Sequence, residues 1–561
     1  MFRKKESQRN LFESRNLVPA AKQRRLEASW AETFRTRALP LIDEAQFACL
    51  YCDDNGRPNQ PVQTVFGVLV LKEMFALTDA EALEQLEFSL LWQHALELTP
   101  DEAHLAQKTL HNFRARLLAH DRGRQAFEAT TDRILHALGT KVTRQRLDST
   151  HVLSNIAVLT RLGLLCETIR HFLKTLAVQH PRLCGRVSKR LRERYLKEDG
   201  GATAYQDAPS GTGTRRLPVC ARDLYRLHQL FAGTAAEGLE SYALLQRLLA
   251  EQCEVTATRQ RPSAADDDGG EGGVPVALKA PEHVGSDSLQ SPYDAEATYN
   301  ARKGKGYEVQ IAETCVEADD DRTDDDRTDT VNMITHVEVT DACASDEHAT
   351  MPVLEALQER GQRPDELVAD TAFGSGDNAV NAERLGTELV SPVKGPPVDV
   401  EERPGTPTQA DFLVDARLED PAICPAGHLA REQTSHATKS HQVTLTFERP
   451  ACETCALLSV CPVKRNRTRD GYTVTVDLKA VNLERRRRAL AGGAFKERYG
   501  IRAGIEATIS ELKRRHGLGA LRVRGRGRVE LAVYLKALAC NIKRMLRALA
   551  PKPGAWAPAR G

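Results

Sequence analysis

DEHATMPVLEALQERGQRPDELVADTAFGSGDNAVNAERLGTELVSPV, residues 346–393, decides the class of fold. Its first part, to about residue 360, carries apolar residues at helical spacing. ELVADTAF then reads as a strand, residues near 376–385 as a second helix, and TELVSPV as a second strand. Strands alternating with short helices are the pattern of an α/β sheet. Such sheets bind their ligands in the crevice beyond the carboxyl ends of the strands. Asp370 closes the strand in LVADTAFGS, and Gly374 and Ser375 suit the turn that follows.

Upstream, GYEVQIAETCVEA (306–318) and VNMITHVEVTDA (331–342) read as two more strands. Between them DDDRTDDDRTD (319–329) lacks the Gly and terminal Glu of an EF-hand, and reads as a solvated hairpin loop. RQRLDSTHVL (144–153) is a further short strand, in which Asp148 marks the polar end. Residues 156–260 are helical, clearest in TRLGLLCETIRHFLKTL (160–176) and YALLQRLLAEQCEV (242–255), and lead into a Gly/Asp-rich connector to about 290. Everything before about 140 also reads as helices. Thr78 with Glu81 makes a capping box, and Thr99, Pro100 and Glu102 make another. Short helices joined by tight turns allow a helix-turn-helix-like unit in which Lys108, Arg114 and Arg116 meet phosphates; an ordinary bundle with solvated charges fits equally.

Charge is distributed unevenly. The 78 Lys and Arg nearly cancel the 77 Asp and Glu, for a net charge of +1. Yet Arg485–Arg547 holds eighteen Lys and Arg against four Glu, or +14 in one helical segment. That asymmetry points to nucleic acid at one end of the chain. No stretch approaches the roughly 20 apolar residues of a membrane span, and the amino terminus has no apolar signal region. The expected location is therefore cytoplasmic, associated with the nucleoid. Of the 13 cysteines, Cys166, Cys253 and Cys540 sit in apolar helical runs. A turn-rich, strand-like block at 396–480 contains AICPAGH (422–428) and RPACETCALLSVCP (449–462). There Cys424, Cys452, Cys455 and Cys461 supply four thiols for a tetrahedral structural Zn²⁺ site, with His428 an alternative ligand. His336-x-Glu338 with Cys452-x2-Cys455 loosely matches a zinc deaminase, but the two halves are far apart and Pro450 is not adjacent to Cys452.

The segment YGIRAGIEATISELKRRHGLGALRVRGRGR (499–528) carries the most specific signal. Tyr499, Arg502, Glu506 and Lys513 stand at offsets of 0, 3, 7 and 14, a spacing that keeps them on one helical face. One carboxylate is thus flanked by cations suited to phosphate. Carboxylates are the ligands of choice for Mg²⁺ in phosphodiester chemistry, and three of them can hold a pair of ions.

Tyr-x2-Arg-x3-Glu-x6-Lys resembles the signature around the third carboxylate of the DDE transposases of bacterial insertion sequences. KRRHGL, RGRGR and NIKRML further on are similar to the tail of one large subgroup. Asp148, Thr150 and Asn155 match the family's first Asp motif, and ELVADTAFGS fits the second. GRPNQP (56–61), with helices ending in KTLHNFRARL (108–117), is similar to the helical module before the catalytic core. The resemblance implies an α/β, ribonuclease-H-like core over 141–550, a helical DNA-binding domain over 1–140 and a disordered tail over 551–561. It implies two insertions: a helical one with its linker at 156–290, and a β-rich zinc-binding one at 396–480. Asp148, Asp370 and Glu506 would hold Mg²⁺ or Mn²⁺ as the catalytic triad. Tyr499, Arg502 and Lys513, with the basic run Arg514, Arg515, Arg524 and Arg526, would contact DNA. The implied partners are the element's terminal inverted repeats and target DNA, bound by a homodimer. A catalytically silent, transposase-derived DNA-binding or regulatory protein is the alternative.

Overall fold

The computed structural model describes residues 2, 18–52, 59–196, 213–255, 276–315, 331–393, 406–439, 441–468, 470–490 and 492–549. The acidic repeat at 319–329, the Gly/Asp-rich run at 263–275, the start of the second insertion and the tail at 551–561 lie outside the described residues.

Helices Val62–Met74, Asp79–Phe88, Gln107–Ala119 and Arg122–Leu138 make up most of the amino-terminal part. Val62–Met74 is apolar on all sides and buried accordingly. The capping box of Thr78 and Glu81 forms in full. The second one closes only a turn: Glu102 accepts from Thr99, but the next helix begins at Gln107.

Twelve strands follow in chain order among the described residues. After β1 (Arg144–Val152) comes a helical unit, led by Arg161–Gln179, Gly213–Phe231 and Glu240–Gln252 and closed by the pair β2 (Cys253–Val255) and β3 (Val276–Leu278). The end of YALLQRLLAEQCEV is therefore a strand, not helix. This unit has its own core around Phe172, Leu224, Phe231 and Tyr242.

The main sheet takes β1 together with β4 (Thr298–Asn300), β5 (Gly304–Thr314), β6 (Ile334–Asp341), β7 (Glu366–Ala369) and β8 (Glu388–Val390). Its order is β4–β5–β1–β7–β8, with β6 also paired to β5. β1, β5 and β6 run antiparallel, while β1, β7 and β8 run parallel. The α/β reading of 346–393 thus holds, with helices Thr350–Glu359 and Gly376–Arg384 between the parallel strands. Both faces of the sheet are covered, as the buried β5 requires. Leu147 and Ala312 pack against those two helices. Val309, Ile311 and Val337 on the other face join the amino-terminal helices and the long final helix Arg526–Ala548 in a single core.

A second sheet, β11–β12–β10–β9, is built from β9 (Glu432–Ser435), β10 (Gln442–Glu448), β11 (Lys464–Asn466) and β12 (Gly471–Asp477). It encloses a small core that includes Cys452 and reaches the helix Leu478–Leu490 through Leu478 and Val481.

Candidate active site

Strand register brings the two aspartates together. β1 and β7 pair in parallel from Arg144↔Glu366 to Leu147↔Ala369, so Asp148 and Asp370 are the next residues on adjacent strands. Asp148 does not close its strand, as the sequence suggested: β1 continues to Val152 against β5. What ends there is the parallel pairing, and that opens the crevice.

The third carboxylate arrives on the helix Gly504–Arg515, which buries Ile505, Thr508 and Leu512 and leaves Glu506 exposed. This helix lies close on β1. A Cβ at position 504 would collide with the Arg146 guanidinium. Arg146 and Asp148, two residues apart on a strand, share a face. Arg146 pairs with the fully buried Glu313 at 2.6 Å and donates to the Ile501 carbonyl at 2.7 Å. Glu313 also accepts from Thr508 Oγ1 at 2.5 Å and from Arg544 at 3.2 Å. A buried, fully bonded ion network of this kind fixes the helix to the sheet.

Arg502 touches all three acids. Its Nη2 lies 2.8 Å from Asp148 Oδ2 and 3.8 Å from Asp370 Oδ2, and its Nη1 lies 3.5 Å from Glu506 Oε1. Burial raises the Asp148 carboxyl above the usual carboxylate range. Arg502 and the Ser149 N–H pull it back, while Asp370 and Asp346 add to the rise. Three like charges converging on one point need a cation, and here a guanidinium supplies it. Asp346 is a fourth acid near the site that the sequence reading missed; it accepts from Gln310 Nε2 at 3.3 Å.

Tyr499, Arg502, Glu506 and Lys513 do not share one continuous helix. Tyr499 belongs to the helix Gly493–Gly500, Arg502 to the 3₁₀ turn Ile501–Ala503, and the other two to Gly504–Arg515. The break turns Arg502 onto the aspartates. Tyr499 stacks on Phe495 with ring centroids 5.7 Å apart, and burial raises its hydroxyl pKa. Burial also lowers the ammonium of Lys513, which lies near Glu308 and Lys303. Lys303, another residue the sequence did not flag, bonds Glu308 at 2.5 Å and Ser149 Oγ at 3.3 Å.

The remaining cations divide by their surroundings. Arg514 and Arg515 are exposed. Arg524 donates to the Asn155 carbonyl and lies over the Tyr293 ring, and Arg526 pairs with Asp341. Among the amino-terminal candidates, Arg114 is bidentate on Asp79 and Arg116 covers the Tyr51 ring at 4.8 Å. Lys108 is exposed.

Cys424, Cys452, Cys455 and Cys461 line one small cavity of about 20 Å³ together with His428, Phe447 and Val463. All four are free thiols. The His428 N–H donates to Cys424 Sγ at 3.3 Å and the Leu457 N–H to Cys455 Sγ at 3.4 Å. Burial, with the other three sulfurs nearby, pushes the Cys452 thiol up to about 11. His336 is far from this chemistry, buried in β6 with its imidazole pushed down to about 3 by desolvation and by Arg360 and Arg124. The deaminase pairing therefore fails: His336 belongs to the main sheet and the cysteines to the second one.

Among the described residues, the group of possible ligands whose ligand atoms all lie within 4.8 Å of one another is Glu511, His516 and Cys540; the three carboxylates and the four thiols stand further apart than that. Glu511 is already committed to Arg544 at 3.1 Å and Arg547 at 3.4 Å. Lys543 and Lys536 also act on His516. Surroundings this cationic disfavour a further positive ion.

Comparison with known proteins gives two family matches. A transposase DDE domain matches residues 423–546, spanning the cysteines, Glu506 and most of the final helix. A transposase domain (DUF772) matches residues 24–116 in the amino-terminal helices. No curated protein and no solved structure matches the chain.

Proposed function

Because the chain belongs with the DDE transposases of insertion-sequence type, we propose that it binds the terminal inverted repeats of a mobile element, cuts at their ends and joins them to target DNA. The convergence of Asp148, Asp370 and Glu506 on Arg502 carries this reading. The ribonuclease-H-like assignment is supported by the mixed sheet, antiparallel across β6, β5 and β1 and parallel across β1, β7 and β8. The donors fit Mg²⁺ or Mn²⁺: they are hard oxygens, and Asp370 and Glu506 stay open enough for water and phosphate to complete the shell.

When bound, such ions activate the attacking oxygen and stabilise the leaving one. Asp148, Asp370 and Glu506 would hold them. Arg502, released from the acids it bridges, and Lys513 receive phosphate oxygens, and Tyr499 supports the strand end beside them. Hydrolysis at the element end breaks one P–O bond and leaves a 3′-hydroxyl. That hydroxyl forms a P–O bond with a target phosphate as the target's own 3′-oxygen leaves, so the number of bonds is conserved and no energy source is required. Arg514 and Arg515 extend the cationic surface to the flanking backbone, and Arg524 and Arg526 join it where DNA draws them from their internal partners. Pairing of two ends calls for a homodimer, working in the cytoplasm at the nucleoid.

The four cysteines hold one structural Zn²⁺, a reading supported by their shared cavity and by the N–H donors on Cys424 and Cys455. Strand cleavage and end binding, measured side by side, test the assignment. Asp148→Ala, Asp370→Ala and Glu506→Ala should each abolish cleavage and preserve binding. Cleavage that survives in a double substitution overturns the triad. Wild-type protein that binds ends without cutting them favours a silent regulatory role.

A further inference from the structure

Behind Asp370 lies a clamp that no part of the signature contains. The helix Leu478–Leu490 is rooted in the cysteine-bearing unit: Leu478 and Val481 lie in that core, and Arg485 donates to the Ala410 and Phe412 carbonyls. One residue along, Arg486 turns the other way. It donates to the Gly374 carbonyl at 3.0 Å and to the Ser391 carbonyl at 3.2 and 2.7 Å. Ser391 Oγ in turn donates to the backbone carbonyl of Asp370 at 2.9 Å. Gly374 leaves the room this requires, since a Cβ there would overlap Ser391 Oγ and the Arg486 guanidinium. Half-buried Arg486 forms no ion pair among the described residues, and burial lowers its pKa to about 10. Without an acid partner, the cost of burying this cation is offset only by its bonds to carbonyls, which tie it to these two loops.

We propose that Arg486 is a positioning residue for Asp370: through Ser391 and the Gly374 carbonyl it fixes the turn that aims this carboxylate at Asp148 and Glu506. The clamp thereby makes the geometry of the carboxylate site depend on the cysteine-bearing unit. This rests on the triad reading above. Groups that orient metal ligands without touching the metal are worth roughly 10–100-fold in metal affinity, and Arg486 acts at that remove.

The test is Mn²⁺ binding to the full chain without DNA, followed by electron paramagnetic resonance, together with steady-state cleavage of end DNA. Arg486→Met should weaken Mn²⁺ binding by about tenfold or more and lower kcat while KM for end DNA holds. Arg486→Lys should recover part of the loss. Gly374→Ala, which pushes the clamp aside without removing its charge, should move the same quantities in the same direction. It also decides the matter if Arg486→Met does not fold. Wild-type Mn²⁺ affinity in folded Gly374→Ala and Arg486→Met overturns the clamp. Asp370→Asn keeps the two ideas separate. Loss of Mn²⁺ binding in that variant alone sinks only the clamp, whereas retained binding sinks the triad beneath it.

Discussion

The carboxylate site and the cysteine unit both gather residues from distant parts of the chain, but by different means. Asp148, Asp370 and Glu506 are carried by a sheet with packed layers on both faces and by a helix seated on the Arg146–Glu313–Arg544 network. Their positions follow from the core, and Arg502 already offsets part of their charge. Among the described residues, the core of the cysteine unit is a cluster of fourteen, one of which, Val380, comes from a helix of the main sheet, and three of which are alanine. A core this small supplies little stability alone. Its four sulfurs point into a space with no internal counter-charge among its lining residues. If both hold ions as proposed, the first site is shaped before its ion arrives, whereas the second would use its ion as part of the fold.

Withdrawal of metal should expose that difference most strongly. Structural zinc contributes an apparent folding energy of roughly 10–16 kcal/mol in small zinc modules. A strong chelator, or Cys452→Ser, should therefore open residues 406–477 to protease while the main sheet stays resistant. Elemental analysis should find one zinc per chain, and finding none after chelator-free purification removes the contrast. Next in size, Asp148→Ala should depress cleavage by more than about a hundredfold, beyond what outer groups cost, with end binding and thermal midpoint nearly unchanged. A large fall in midpoint would mean that the carboxylates help to build the fold.

Acid should act on the sheet side at a smaller scale. Burial depresses the imidazoles of His336 to about 3 and His516 to about 4. An unfolded histidine protonates near pH 6.5, so their contribution is complete above that pH and is lost as the pH falls toward the folded values. The slope is about 1.4 kcal/mol per pH unit for each group. Urea unfolding between pH 6.5 and 5 should show it, and His336→Leu should flatten it; an unchanged slope contradicts the assignment. The smallest effect concerns DNA. Arg514→Ala and Arg515→Ala should each reduce the salt slope of end binding by about one unit. Arg526→Ala should do less, because its charge is spent on Asp341.

Much of this was legible in the chain. The alternation over 346–393 yielded the parallel strands and their helices, since period and punctuation are local properties. The spacing around Glu506 marked a carboxylate among cations, though not the 3₁₀ break that swings Arg502 onto Asp148 and Asp370. Beside that break Gly504 approaches Arg146 closely, a contact between residues distant in sequence. For the same reason Lys303, Asp346 and Arg486 gave no signal. Each matters through a partner that only strand register or packing supplies. Arg114 and Arg526 show the converse, since their spacing in the sequence gave no sign of the acids that each already meets, Asp79 and Asp341.

The final helix Arg526–Ala548 completes the core begun by the first hundred residues. Asn541 bonds both the N–H and the carbonyl of Ile334, and Lys536 reaches Glu73 at 2.5 Å. During synthesis, at about 5–20 residues per second, the Val62–Met74 helix emerges on the order of a minute before its last neighbour leaves the ribosome. For that interval the surface it later buries against Arg526–Ala548 lacks its partner. A chain cut before the final helix would leave the side of Val62–Met74 that packs against it open to water.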